Sequence, residues 1–192
     1  MNVYANFDIL YFLSHPRNTY FEQTAFEINA MLYLAELLSI YDGNNSTAWG
    51  YSFARNKYGA PMSVELLKEL ELLTSKGFLI DDDAGYYRIS DEVDVSYIDR
   101  LSRSSMLGWR TRFIDTVLDS LLTKSLPRVI AAIQKEPGIA LFENIDRTSS
   151  LLDPGQIEEL YNDFGALKAV INNPEIDLIV PASLWIDYLT VQ

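Results

Sequence analysis

The sequence predicts a mostly helical α+β fold, and three observations carry that expectation. Apolar residues recur at three- and four-residue spacing along much of the 192-residue chain. One short block switches to strand-forming residues around a tight loop, and the C-terminal half then returns to helical spacing. In the switching block Ser63 is a good N-cap two residues after Pro61, and Glu65 sits in the first turn, where the helix dipole favours an acid. Leu66, Leu67, Leu70 and Leu73 give the helix Val64 to Lys76 an apolar face, and Gly77 is placed to end it. Phe78-Leu79-Ile80 reads as a strand, residues 81–85 as a loop, and Tyr86 to Ile89 as a returning strand. Helix, glycine, strand, tight loop and strand in this order form the core of a winged helix, in which a helical bundle presents one helix and a hairpin wing.

The other elements follow from local signals. A first helix spans Asn6 to Phe12 and ends at His15-Pro16, because the residue before a proline is pushed out of the helical region. A second spans Phe21 to Ile40, with Phe26, Ala30, Tyr33, Leu34, Leu37 and Leu38 on one face, and Asp42-Gly43-Asn44-Asn45 stops it. Trp49 to Tyr58 reads as a short helix or an extended arm. Beyond Val95 the spacing predicts helices over Ser96 to Leu107, Trp109 to Thr123 and Pro127 to Lys135, with Pro137-Gly138 as a stop. Residues 139–155 look irregular. Asp153-Pro154 starts a further helix running to about Asn172, and the apolar tail Ile176 to Leu189 reads as a strand or a docked helix. The acidic stretch Asp91-Glu92-Val93-Asp94 suggests a division into a winged-helix domain, 1–95, and a helical interaction region, 96–192.

Composition excludes several kinds of chemistry. There is no Cys and one His, so thiol catalysis, cysteine zinc clusters and three-histidine metal sites are ruled out. Neither G-x-x-x-x-G-K-[ST] nor G-x-G-x-x-G occurs, and there is no G-x-S-x-G elbow. Asp81-Asp82-Asp83 lacks the spacing of an EF-hand loop. No catalytic, cofactor-binding or metal-ligating residue is therefore expected, and no cofactor. The N-terminal residues carry no basic region followed by a long apolar core, and no apolar stretch is long enough to span a bilayer, so a cytoplasmic protein without membrane contact is expected.

The net charge of −12 opposes a phosphate backbone overall, and it is uneven. Residues 1–95 hold 14 acids against 6 bases, and residues 96–192 hold 13 against 9. The helix that would enter a DNA groove carries Glu65, Glu69 and Glu71 against Lys68 and Lys76, where a reading helix needs Arg, Lys, Asn or Gln. The exception is the run Arg100, Arg103, Arg110 and Arg112, which flanks Trp109. These arginines read either as a patch for phosphate or an acidic partner, or as surface residues paired internally with Asp99, Asp115 and Asp119. Tyr86 and Tyr87 are adjacent on a strand and face opposite sides, so at least one is offered outward beside Arg88. Tyr, Trp and Arg anchor protein interfaces. The partner-binding candidates are therefore Tyr86, Tyr87, Arg88, Arg100, Arg103, Trp109, Arg110 and Arg112.

Two stretches, Leu32-Tyr33-Leu34-Ala35 and Tyr51 through Pro61, resemble two groups of proteins over residues 5–90. Panacea-type antitoxin domains have a similar Leu-Tyr-Leu-Ala helix and then a Tyr-Gly-Pro turn, here with Ala60 between Gly59 and Pro61. The middle components of bacterial ABC-three-component systems, including the accessory subunit of Lamassu-type anti-phage defence, are similar in size and in their winged helix. The second resemblance implies a non-catalytic subunit that binds an SMC/Rad50-like ATPase and positions or restrains an effector. Under it, DNA would be met indirectly or through the Arg100–Arg112 segment.

Overall fold

The computed structural model describes residues 1–16, 23–56, 58–82, 84–136, 139, 151–152 and 157–191. Helix α1 is Val3–Ser14. The Asn2 side-chain oxygen caps it by accepting from the Tyr4 and Ala5 amides at 3.0 and 3.1 Å, and the chain leaves the helix at His15, before Pro16. Helix α2, Ala25–Tyr41, opens on a capping box in which Thr24 and Glu27 satisfy each other's backbone amides. Every residue from Ile28 to Tyr41 is buried. The spacing predicts a single buried face, whereas α2 is the central helix, covered by elements from both halves of the chain.

After Asp42-Gly43 a 3₁₀ turn, Ser46–Trp49, leads into a small hairpin that the sequence reading leaves as a helix or arm. Strands β1, Ala54–Arg55, and β2, Pro61–Met62, pair antiparallel with Ala54 opposite Met62. Helix α3, Val64–Ser75, has the expected Ser63 cap and ends before Gly77 at φ 76°. Strands β3, Leu79–Asp81, and β4, Tyr87–Ile89, form the expected hairpin with Leu79 opposite Ile89 and Asp81 opposite Tyr87. The segment before α2 joins it: the Tyr87 amide donates to the Gln23 carbonyl at 2.9 Å, and Thr24 bridges Tyr86 antiparallel. The β3–β4 hairpin is thus held on its β4 edge by the N-terminal approach to α2.

The C-terminal half is helical: α4 Val95–Ser102, α5 Gly108–Thr123, α6 Leu126–Gln134, α7 Glu158–Ile171 and α8 Ile179–Val191. Helix α4 stops five residues short of its expected end. Gly108 then brings the chain so close to the Ser102 carbonyl that a Cβ there would lie 2.3 Å from its oxygen. The apolar tail is a docked helix, burying Trp185, Ile186 and Leu189 against α5 and α6. The Pro137-Gly138 stop, the Asp153-Pro154 start and most of 139–155 lie outside the described residues.

The division expected near residue 95 is not a structural boundary. Helix α2 packs on α5, α1 packs on α4 and α5, and one apolar core runs from Ala5 to Leu189. A helix as apolar as α2 needs cover all round, and the N-terminal elements cover only part of it.

Candidate interaction surfaces and the buried Arg110 centre

The β3–β4 hairpin presents two of its three candidates partly and one fully. Tyr86 and Tyr87 are half-buried, and Arg88 is exposed with its guanidinium 4.0 Å from Asp91. Tyr87 packs against the core, and burial first, then the nearby Asp81 and Glu71 carboxylates, push its hydroxyl above the usual range. At the hairpin tip Asp82 accepts from the Ala84 and Tyr86 amides at 3.0 and 2.8 Å, so its carboxylate closes the turn. Asp83 is outside the described residues.

Helix α3 is less acidic on its surface than its sequence implies. Glu69 is buried against α1, accepting from the Asn2 amide and, at 3.0 Å, from the Asn6 side chain. The buried Asn29 of α2 accepts from the Ser63 amide at 2.7 Å and so fixes the start of α3. Glu65 and Glu71 are left against Lys68 and Lys76, a balanced face with no Arg, Asn or Gln to read bases.

The four arginines occupy three different environments. Arg100 is exposed, 3.7 Å from Asp94 and donating to Ser96 at 2.9 Å. The Asp94 carboxylate is held below its ordinary range by its bonds to Ser96 and by Arg100. Arg103 is exposed at the end of α4, with no ion pair among the described residues. Arg112 lies 2.7 Å from Asp42 beside an open cleft of about 570 Å³, which also takes in Tyr41 and Lys168. None of the pairs expected with Asp99, Asp115 and Asp119 is formed by these side chains among the described residues; Asp115 instead accepts from the Tyr11 hydroxyl at 2.9 Å. Positions 110 and 112 are two apart on one helix, so their side chains leave it in different directions. Close spacing in sequence therefore does not make one basic patch.

Arg110 is the main correction: it is fully buried and offers nothing to a partner or to DNA. Its guanidinium makes a bidentate pair with Asp8, Nε to Oδ1 at 2.8 Å and Nη2 to Oδ2, and Nη1 donates to the Trp49 carbonyl at 2.7 Å. Tyr51 donates its hydroxyl to Asp8 Oδ2 at 2.7 Å. The guanidinium lies 4.0 Å from the Trp49 ring centroid and 5.2 to 5.7 Å from those of Tyr4, Trp109 and Tyr51. Trp109 is accordingly half-buried, packed edge-on against Trp49 and Phe113. Burial raises the Asp8 carboxyl above its ordinary value, and Arg110 and Tyr51 oppose that rise. The bidentate geometry keeps the two residues an ion pair. Glu36 completes the centre. Its carboxyl is buried, with Oε2 unpartnered among the described residues, and burial drives it well above the usual carboxylate range, against the pull of Arg110. Burial thus favours the protonated form of Glu36.

The signal for this centre was in the sequence. Asp8 and Glu36 each interrupt a strongly apolar helix, and a buried acid requires a partner or a proton. Gly50 supports the same centre. It sits at φ 89°, and a Cβ there would lie 2.3 Å from the Tyr4 ring, which covers Arg110. Gly50→Ala is expected to destabilise the fold by about 2 kcal/mol or more, from left-handed backbone and a displaced ring. A shift of the urea midpoint to lower concentration at unchanged m-value checks this.

Among the described residues, no group of three or more His, Asp or Glu could hold a metal ion, and no helix is long and apolar enough to cross a membrane. No family model, curated protein or solved structure matches the chain.

Proposed function

We propose that the chain is a non-catalytic accessory subunit acting in the cytoplasm. It binds an SMC/Rad50-like ATPase and an effector in a bacterial anti-phage defence complex, through protein–protein contacts. The observation that carries the reading is the wing: a hairpin braced on α3 and on the approach to α2, presenting Tyr86 and Arg88 beside a charge-balanced helix. The bridge from the segment between α1 and α2 to the second hairpin strand supports a winged-helix reading. The resemblance of residues 5–90 supplies the class of partner. The ion pair of Arg110 with Asp8 has a scaffolding role here, fixing α1 against α5.

The tagged chain, purified from its native host, is expected to retain a long coiled-coil ATPase. Tyr86→Ala with Arg88→Glu is expected to lower that recovery about tenfold with an unchanged circular-dichroism spectrum. Full recovery from the double variant removes the wing from the interface. A second reading, a winged-helix DNA-binding regulator or a Panacea-like antitoxin, draws on the exposed Arg103, which has no ion pair among the described residues, near Arg100. It requires a salt-sensitive gel shift that Arg100→Ala with Arg103→Ala abolishes.

A further inference from the structure

Helices α7 and α8 leave between them a groove of about 300 Å³. Ala166, Leu167 and Val170 line one side, and Leu184, Trp185 and Tyr188 the other. Three of these side chains are open to solvent: Val170 is 79 % exposed, Tyr188 50 % and Leu184 41 %. The stripe is continuous at helical spacing. Positions 159, 163, 166 and 170 share one face of α7, and 184, 188 and 191 share one face of α8. Trp185 forms the floor and is held by Phe164, with ring centroids 4.8 Å apart. The walls are thus fixed by core packing.

The charge at this groove has one sign. Among the described residues Asp163 is the only charged one in its lining, and Glu159 lies one turn earlier on the same face. Neither is ion-paired among the described residues. Burial, and then the Glu159 carboxylate, raise Asp163 above its ordinary range, as expected for an acid next to a like charge. A second copy of this chain would bring the same acids together, on molecules of net charge −12. Anionic lipid would be repelled likewise.

We infer that this groove receives an amphipathic helix of another protein, with apolar anchors at i, i+3 or i+4, and i+7. Lys or Arg on that helix lies over the Glu159–Asp163 end. The apolar anchors fill the space above Trp185, and the cations supply the charges that Asp163 and Glu159 lack. This deepens the accessory-subunit reading by giving it a second surface, on elements other than the wing.

The test uses the full chain and two synthetic model helices with one leucine pattern, one carrying Lys and the other Glu at the remaining positions. Binding is followed by anisotropy of the labelled peptide. The Leu/Lys helix is expected to bind at least about tenfold tighter than the Leu/Glu helix, and to weaken as salt rises from ~50 to ~500 mM. Val170→Asp, at a position open enough to leave the fold intact, is expected to weaken the anchors by about tenfold. Asp163→Lys is expected to reverse the preference between the two peptides. Equal binding of both, binding indifferent to Val170→Asp, or no binding of the Leu/Lys helix overturns the proposal. So does a concentration-dependent dimer in ultracentrifugation that Val170→Asp dissolves, since the groove's occupant is then a second copy. Failure here with the ATPase still recovered through the wing leaves the accessory-subunit reading standing. Intact peptide binding with no ATPase recovered removes that reading and keeps the groove.

Discussion

Arg110→Met is expected to cost roughly 3–5 kcal/mol of folding stability, the range for removing one partner of a buried ion pair. The variant keeps most of the side-chain volume but leaves Asp8 buried, with only the Tyr51 hydroxyl to stabilise its charge. It also loses the bond to the Trp49 carbonyl and the cation over the Trp49 ring. Asp8→Asn is expected to cost clearly less. Once the Asp8 charge is gone, Arg110 attracts Glu36 without competition, and Glu36 can give up its proton to become the counter-ion. The asymmetry is specific to a centre with one cation and two acids. Urea unfolding of both variants and of the Asp8→Asn, Glu36→Gln pair checks it. The pair should lose substantially more than the sum of its single variants. Equal losses for Arg110→Met and Asp8→Asn would show that Glu36 does not share the charge.

The second large effect is on pH dependence. The Glu36 carboxyl is raised well above its ordinary value of about 4.5 in the folded protein, and it returns to that value on unfolding. Between those two values the folded state binds more protons than the unfolded state, so stability falls as pH rises. The loss begins near pH 4.5 and continues up to the folded-state pKa, at up to about 1.4 kcal/mol per pH unit for one proton. Asp8 and Asp163 are also raised and act in the same direction. Asp94 is lowered and acts oppositely, its contribution being lost as pH drops below its unfolded value. Stability measured from pH 5 to pH 8 is therefore expected to decline for the unaltered protein, and Glu36→Gln is expected to flatten that decline. Parallel curves for the two proteins would mean that Glu36 does not hold its proton in the folded state.

Elements governed by local chemistry were legible in the sequence. Ser63, Gly77 and the Tyr86–Ile89 run place α3 and the β3–β4 hairpin within a residue or two of where they are, because caps, turns and β-branched runs act over a few positions. The β1–β2 hairpin was missed because each strand is two residues long, too short for an alternating pattern to register. The single core was missed because the acidic stretch near residue 95 is a local feature, while α2 packs on α5 through apolar residues that no local pattern connects. The arginine run misled for a related reason. Sequence proximity shows that Arg110 and Arg112 share a helix, but it does not show that one of them meets Asp8, 102 residues away, inside the fold.

Joining these features into one functional account turns on whether the chain works as part of a larger assembly. The most direct measurement is the native mass of the tagged protein after gentle purification from its host. The accessory-subunit account expects a species several times heavier than the 21.9 kDa chain, containing a coiled-coil ATPase in fixed ratio to it. A partner-free monomer of 21.9 kDa across a range of salt would contradict it.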